Sequence, residues 1–264
     1  MDPDTFRAFL RDTLPPMGYQ WRRFERRNIR RKIQRRMESV GIHEADRYAA
    51  LLAVDPEERR RFQSLLSVTI TRFYRNAWLW SVLAGILPAA AREAGGAFHV
   101  WCAGCAGGEE PFSVAMLMDD LARRGLAPFP WTVLGTDSDL PSLARAAGTS
   151  YNWGSVREVP ERILERWFRE EEGLWTMDPA IRALVRIEEH DLLREDPPGT
   201  FSMVFLRNCV LTYNTEAVQR MVLEKLRGCM QPPGLLVIGR TERLPAGTGF
   251  GEVGRCIYRK EEGE

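Results

Sequence analysis

The run Val100-Trp-Cys-Ala-Gly-Cys-Ala-Gly-Gly-Glu-Glu-Pro-Phe-Ser113 constrains this chain more than any other stretch. It reads as a buried strand, a glycine-rich turn, and a helix opened by two acids and a proline. In α/β folds that order puts the strand in the core and the helix amino terminus against a ligand. A phosphate is a poor occupant, because Glu109 and Glu110 would repel it where bare N–H groups are needed. Gly104-x-x-Gly107-Gly108 also lacks the G-x-G-x-x-G dinucleotide spacing, and no G-K-[ST] follows. A nucleoside that carries positive charge suits the two acids, and S-adenosylmethionine is the obvious one. The plainer alternative is a turn followed by two acids that favour the helix dipole.

A second feature stands where such a fold predicts it. Trp131-Thr-Val-Leu-Gly-Thr-Asp137 is a β-rich run ending in an acid, one helix (Pro111 to Arg124) after the turn. In Rossmann-type units an acid at the end of the second strand accepts hydrogen bonds from ribose hydroxyls, which makes Asp137 that candidate. Asp139 is expected to cap the next helix, from about Leu140 to Ala147.

Residues 1 to about 70 read as all helical, with Phe6, Leu10, Leu14 and later Ile29, Ile33, Met37 and Val40 at three- and four-residue spacing. From about residue 97 the pattern turns to strands alternating with helices: Ala97–Cys102, Thr132–Thr136, Met203–Arg207 and Leu235–Gly239. That alternation predicts a mainly parallel sheet with helices on both faces. Phe250 to Lys260 reads as a return along the sheet edge. Between Tyr151 and Asp196 a helix is followed by Gly173–Met177 and Leu184–Glu188, which read as short antiparallel strands of a β insertion. The expected organisation is a helical domain over 1–72 and an α/β domain over 73–264, with the insertion at about 151–190.

Charge is nearly balanced, Lys+Arg 37 against Asp+Glu 36 in 264 residues, so net charge makes no argument for nucleic acid or membrane. No apolar run reaches the roughly 18 residues of a membrane span. The amino terminus lacks the layout of a signal peptide, and the five cysteines read as reduced thiols, so a cytoplasmic location is expected. Cys102-x-x-Cys105 has no second pair beside it and the chain holds three histidines, so the expectation is no metal.

The positive charge is local. Arg22, Arg23, Arg26, Arg27, Arg30, Arg31, Lys32, Arg35 and Arg36 face a single acid, Glu25, between Trp21 and Arg36. Helical periodicity turns Ile29, Ile33 and Met37 inward and leaves Arg23, Arg27, Arg30 and Arg31 on one side. Such a patch attracts an acidic partner. The lack of interleaved aromatics disfavours nucleic acid.

Together these residues resemble the CheR family of chemoreceptor glutamate methyltransferases, over nearly the whole chain. Thr69-Ile-Thr71-Arg-Phe-Tyr-Arg75 is similar to the family's T-x-F-F-R, and Trp101–Ser113 to its W-x-A-G-C-x-x-G-E-E-P-Y-S. Gly135-Thr-Asp137-Ser-Asp139 resembles A-T-D-x-D with Gly135 for the alanine, Asp191-Leu192-Leu193 resembles N-L-L with Asp191 in place of the asparagine, and Arg207-Asn208 opens R-N-V-x-x-Y. Gly239-Arg-Thr-Glu-Arg-Leu244 resembles G-x-x-E-x-L. The resemblance implies a Rossmann-like class I S-adenosylmethionine-dependent methyltransferase domain with a small antiparallel β insertion, preceded by an all-α amino-terminal domain.

By that resemblance Thr71 and one or both of Glu109 and Glu110 hold the methionine end of the cofactor, and Thr69 and Gly104 also bind it. Asp137 takes the ribose, and Asp191 with Leu192 the adenine. Arg207 and Asn208 complete the cofactor set at the active-site strand end. Arg75 belongs to the cofactor set too: it sits by the sulfonium and meets the substrate carboxylate. Arg75, Asn208 and Tyr213 are the implied catalytic residues. Thr212 falls where the family's tyrosine stands and Tyr213 comes one residue later. The implied partner is an acidic helical protein, a chemoreceptor cytoplasmic region, approached through the basic helix Arg22–Arg36. Two alternatives stay open: another methyl acceptor on the same fold, or a non-catalytic module that binds the cofactor.

Overall fold

A computed structural model of the chain describes residues 1–66, 71–126 and 129–261. The chain divides into two compact units, Met1–Val68 with Cys209–Gln219, and Thr69–Asn208 with Arg220–Glu264.

The first unit is helical. Helices Pro3–Thr13, Arg27–Ser39, Ala45–Val54 and Pro56–Leu66 enclose a core of Phe6, Phe9, Leu10, Phe24, Ile29, Ile33, Met37, Tyr48, Leu52 and Phe62. The three- and four-residue spacing of apolar side chains therefore does what the periodicity predicts. The basic run is not one helix. Trp21–Phe24 forms a 3-10 turn, Arg26 is extended, and the helix starts at Arg27. Arg36 also leaves the surface charge: its Nε and Nη2 both donate to Glu58, a residue 4% exposed whose carboxylate also accepts from the Tyr48 hydroxyl at 2.7 Å. Glu25 is paired with Arg7 at 2.7 Å.

The later segment of this unit is stitched to its early turns. Gln20 N donates to the Tyr213 carbonyl at 2.8 Å, Thr215 N to the Gly18 carbonyl at 2.8 Å, and Gln20 Nε2 to the Asn214 carbonyl at 2.6 Å. The Tyr213 ring lies 5.3 Å from that of Phe24, and the Arg26 guanidinium is 6.0 Å from its centroid.

The second unit is built on β1 (Phe98–Ala103), β2 (Trp131–Asp137), β3 (Ser150–Asn152), β4 (Phe168–Glu171), β5 (Leu174–Met177), β6 (Val185–Glu189), β7 (Phe201–Leu206), β8 (Met230–Ile238), β9 (Phe250–Gly254) and β10 (Ile257–Lys260). The main sheet runs β6-β2-β1-β7-β8-β10-β9. β6, β2, β1, β7 and β8 are parallel, with Val100 level with Val133 on one side and Met203 on the other. β10 returns antiparallel on β8 and carries β9 outside it, so the carboxyl-terminal return is a hairpin whose first strand forms the edge. The apolar runs of β1 and β7 are buried almost throughout, as expected for central parallel strands covered on both faces.

The antiparallel insertion is a separate sheet of order β3-β5-β4. Leu174–Met177 belongs to it. Val185–Glu189 does not: it pairs in parallel with β2, at the edge of the main sheet. Its alternation of Val185 and Ile187 with Arg186 and Glu188 imitates an antiparallel strand because an edge strand keeps part of its surface in water.

Candidate active site

The strand order reverses between β1 and β7, since β2 and β6 lie on one side of β1 and β7 and β8 on the other. Ligands of open α/β sheets bind at the carboxyl ends of strands at such a point. The residues singled out from sequence gather there. Gly104 and Glu109 follow β1, Asp137 ends β2, Asp191 and Leu192 follow β6, and Arg207 and Asn208 follow β7.

The turn after β1 is shaped by one acid. Asp137 accepts from Ala106 N through Oδ2 at 2.8 Å and from Asp139 N through Oδ1 at 2.9 Å. It thereby fixes a left-handed Ala106 (φ 49°) beside the strand end. His190 N donates to the Asp137 carbonyl at 3.1 Å, which brings Asp191 next to Asp137. The Asp191 carboxylate accepts from Leu193 N at 3.0 Å and lies 3.5 Å from Arg194 Nε. Burial pushes the Asp137 carboxyl up, against the pull of the N–H groups it accepts.

Gly108 caps the helix Glu109–Arg123 at φ +84°, where an added Cβ would meet Phe112 and Ala146 at 3.0 and 3.1 Å. At Gly107 a Cβ would stand 2.6 Å from Glu109 Oε2. The glycine pair lets the chain pass close over that carboxylate.

Glu109 and Glu110 have different surroundings. Glu110 is ion-paired: Arg207 Nη1 meets its Oε2 at 2.7 Å, with the two side chains 3% and 14% exposed for Arg207 and Glu110. Glu109 is 8% exposed, and its Oε2 is buried with no hydrogen-bond partner. Burial pushes its carboxyl up; its own backbone N–H, Arg145 and Thr71 pull it back. An orphaned carboxylate oxygen at a helix amino terminus, under a glycine turn, fits a cationic ligand such as the methionyl end of S-adenosylmethionine.

Arg207 does more than neutralise Glu110. Its Nη2 donates to the Arg75 carbonyl at 3.1 Å and to Asn76 Oδ1 at 2.9 Å, so it ties the segment that carries Thr71 and Arg75 to the sheet. Ser113 adds a second tie, accepting from Tyr74 N at 2.9 Å while donating to the Glu109 carbonyl at 2.6 Å. Burial pushes the Glu110 carboxyl up, while Arg207 and, to a smaller extent, Arg75 pull it back.

One participant was missed as a site residue in the sequence. Glu242 is 4% exposed, and its Oε2 accepts from Gly239 N at 2.6 Å and Asn208 N at 3.1 Å. It fastens together the ends of β7 and β8, where Asn208 has a left-handed backbone (φ 57°). The acid in Gly239-Arg-Thr-Glu242, one turn past a buried strand, was the available signal. Thr69 lies outside the described residues, and Tyr213 belongs to the first unit.

Comparison with known proteins agrees with this geometry. Residues 69–255 match the family described as CheR methyltransferase, SAM binding domain. The chain belongs to the CheR methyltransferase family. A chemotaxis protein methyltransferase of Listeria monocytogenes is 30% identical over 202 residues, 75% of each chain. That of Salmonella typhimurium is 28% identical over 221 residues, 81% of this chain and 74% of the relative. Likeness to solved structures is weaker, as with PKMT2 from Rickettsia typhi in complex with AdoHcy, at 13% identity and a TM-score of 0.37 over 65% of this chain and 26% of that one. As a CheR-family protein, this chain is an S-adenosylmethionine-dependent methyltransferase, and no helix among its described residues is long and apolar enough to cross a membrane.

Proposed function

We propose that this CheR-family methyltransferase forms methyl esters on glutamate side chains of a chemoreceptor's cytoplasmic region, and that it works in the cytoplasm. The observation that carries the reading is the family match over residues 69–255, which spans the whole described site. S-adenosylmethionine, when bound, supplies a methyl group on a positively charged sulfur. Glu109 and Thr71 are assigned to its methionyl end, Gly104 and Thr69 to cofactor binding, Asp137 to its ribose, and Asp191 with Leu192 to its adenine. Arg207 and Asn208 frame the strand end beside them.

A glutamate acceptor is ionised at neutral pH, since its ordinary pKa is about 4.3. The chain therefore needs no general base for it and has instead to remove water and fix direction. Positioning of that kind supplies up to roughly 7–11 kcal/mol. Arg75 suits the task, because a planar guanidinium holds a carboxylate through two parallel hydrogen bonds.

The helix Arg27–Ser39 opens with Arg27, Arg30, Arg31 and Lys32 and has no acid in its first turn and no side-chain cap. Cations at a helix amino terminus oppose its dipole, so this arrangement works against local stability. A sequence that breaks a local rule of this kind marks a functional surface, and an acidic receptor helix is the partner it suits.

The test uses S-adenosylmethionine labelled in its methyl group, with the protein and membranes from its own source. Label released as methanol by mild alkali from membrane protein is the expected result. Alkali-stable label would move the reading to another acceptor, and no label despite intact cofactor binding would make the chain a binding module.

Two further outcomes follow from the site. Asp137→Asn is expected to weaken cofactor binding about 10- to 100-fold, the worth of a hydrogen bond to a charged group. Titration calorimetry showing unaltered affinity would remove the ribose assignment. The second outcome concerns pH. Ionised Glu109 holds a cation and protonated Glu109 does not, so affinity is full above its pKa and falls as pH drops through it. Because burial raises that pKa, the fall is expected to begin above the ordinary glutamate value of about 4.3. Glu109→Gln is expected to bind weakly without that pH dependence; a wild-type profile in this variant would exclude Glu109.

A further inference from the structure

We propose that Glu158 is a positioning residue for Arg75 and joins the inserted sheet to the methyl-transfer site; this rests on the reading of Arg75 given above. Arg75 stands between two non-glycine residues with left-handed backbone, Tyr74 at φ 52° and Asn76 at φ 66°. Such a conformation is unfavourable for a residue with a Cβ and persists only where its surroundings over-determine it.

The surroundings come from two sources. Ser113 and Arg207, both of the main framework, hold Tyr74 N and the Arg75 carbonyl. The other grip comes from the insertion, in the stretch between β3 and β4. Glu158 Oε2 accepts from Asn76 N at 2.8 Å, and Glu158 Oε1 accepts from Arg72 Nη1 at 2.9 Å. Phe73 N donates to the Ser155 carbonyl at 3.0 Å. The insertion therefore holds the chain on both sides of Arg75.

Asn76 opens the helix Ala77–Ala94, and its own side chain makes no capping bond there. The Glu158 carboxylate takes the place of a cap, where the helix dipole favours a negative charge. With Glu158 removed, the Asn76 N–H loses its acceptor and the left-handed turn loses one of its constraints. The Arg75 guanidinium then no longer has a fixed direction, while the strand ends that flank the cofactor site are untouched.

The test is a double-mutant cycle on the whole protein, read as alkali-labile methyl label on membrane protein. Glu158→Ala is expected to lower turnover about 10- to 100-fold, with cofactor affinity held within a few-fold. In an Arg75→Ala background the same change is expected to cost less than about twofold, since no guanidinium is left to position. Amide exchange across residues 72–76 of the cofactor-free protein is expected to quicken in Glu158→Ala. Equal losses in both backgrounds, full turnover in Glu158→Ala, or unchanged exchange would each overturn the inference. Normal turnover in Arg75→Ala alone would overturn the reading of Arg75, which that single variant reveals separately. If Glu158→Ala does not fold, the cycle is run with Glu158→Gln, which keeps the shape but sets an amide donor against Arg72 or Asn76. A several-fold loss confined to the Arg75 background is expected there, and an equal loss in both or none in either overturns the inference.

Discussion

Arg75→Ala is expected to reduce methyl transfer by roughly 10²–10³-fold while S-adenosylmethionine still binds within a few-fold of the wild-type affinity. That is the range seen when one pre-organised donor is taken from an active site. The expectation follows from where the structure invests its constraints. The backbone of Arg75 is held by Arg207 through its carbonyl and flanked by residues fastened to Ser113 and Glu158. A side chain needed only for bulk would not require its backbone to be held at that many points. Arg75→Lys is expected to recover little, because an ammonium cannot hold both oxygens of a carboxylate in one plane. The measurement is kcat under saturating cofactor beside an equilibrium titration of cofactor. Wild-type kcat in Arg75→Ala would refute the assignment, and a large loss of cofactor affinity would show that Arg75 acts mainly by binding the cofactor.

Breaking the Arg207–Glu110 pair is the second change with a large expected effect. The two side chains are 3% and 14% exposed, and burial pushes the Glu110 carboxyl up while Arg207 pulls it back. Removing one member of such a pair leaves an uncompensated charge in the interior, which costs about 3–5 kcal/mol. Arg207→Met should therefore lower the unfolding midpoint by on the order of 10 °C. The double change Arg207→Met with Glu110→Gln should be more stable than Arg207→Met alone, because the stranded charge is gone. Urea unfolding of the single and double variants decides this. A double variant no more stable than the single would show that the loss comes from the ties to Arg75 and Asn76 rather than from the charge.

Much of this site was legible in the sequence because its parts are local. Strand, glycine turn and acidic helix start are consecutive from Val100 to Ser113, and their order points to a parallel α/β fold. Asp137 stood out because it ends the second strand of a Rossmann-like unit, and in the structure both of its carboxylate oxygens shape the turns around that strand end. The missing parts are pairings across long separations. Nothing near Glu110 announces Arg207, nothing near Arg75 announces Glu158, and Glu242 meets Asn208 only once β7 and β8 lie side by side. The same limit applies to charge. Arg36 counts as surface in a composition of nine basic residues, yet it is taken up by Glu58, which lies in a different helix. Val185–Glu189 was misread for the opposite reason: its local pattern was clear, but its environment at the sheet edge gives parallel and antiparallel strands the same alternation.

The stitching of Tyr213, Asn214 and Thr215 to Gly18 and Gln20 bears on how the protein is made. The helical unit is written in two pieces, and the second piece is separated from the first by most of the α/β sheet. A ribosome that has finished residue 68 has made four helices but none of the backbone segment that closes them. Until synthesis has passed residue 215, the carbonyl of Gly18 and the amide of Gln20 lack their native partners. The earlier piece of the helical unit thus has to wait for the later one, unlike successive domains that each close on a single run of chain.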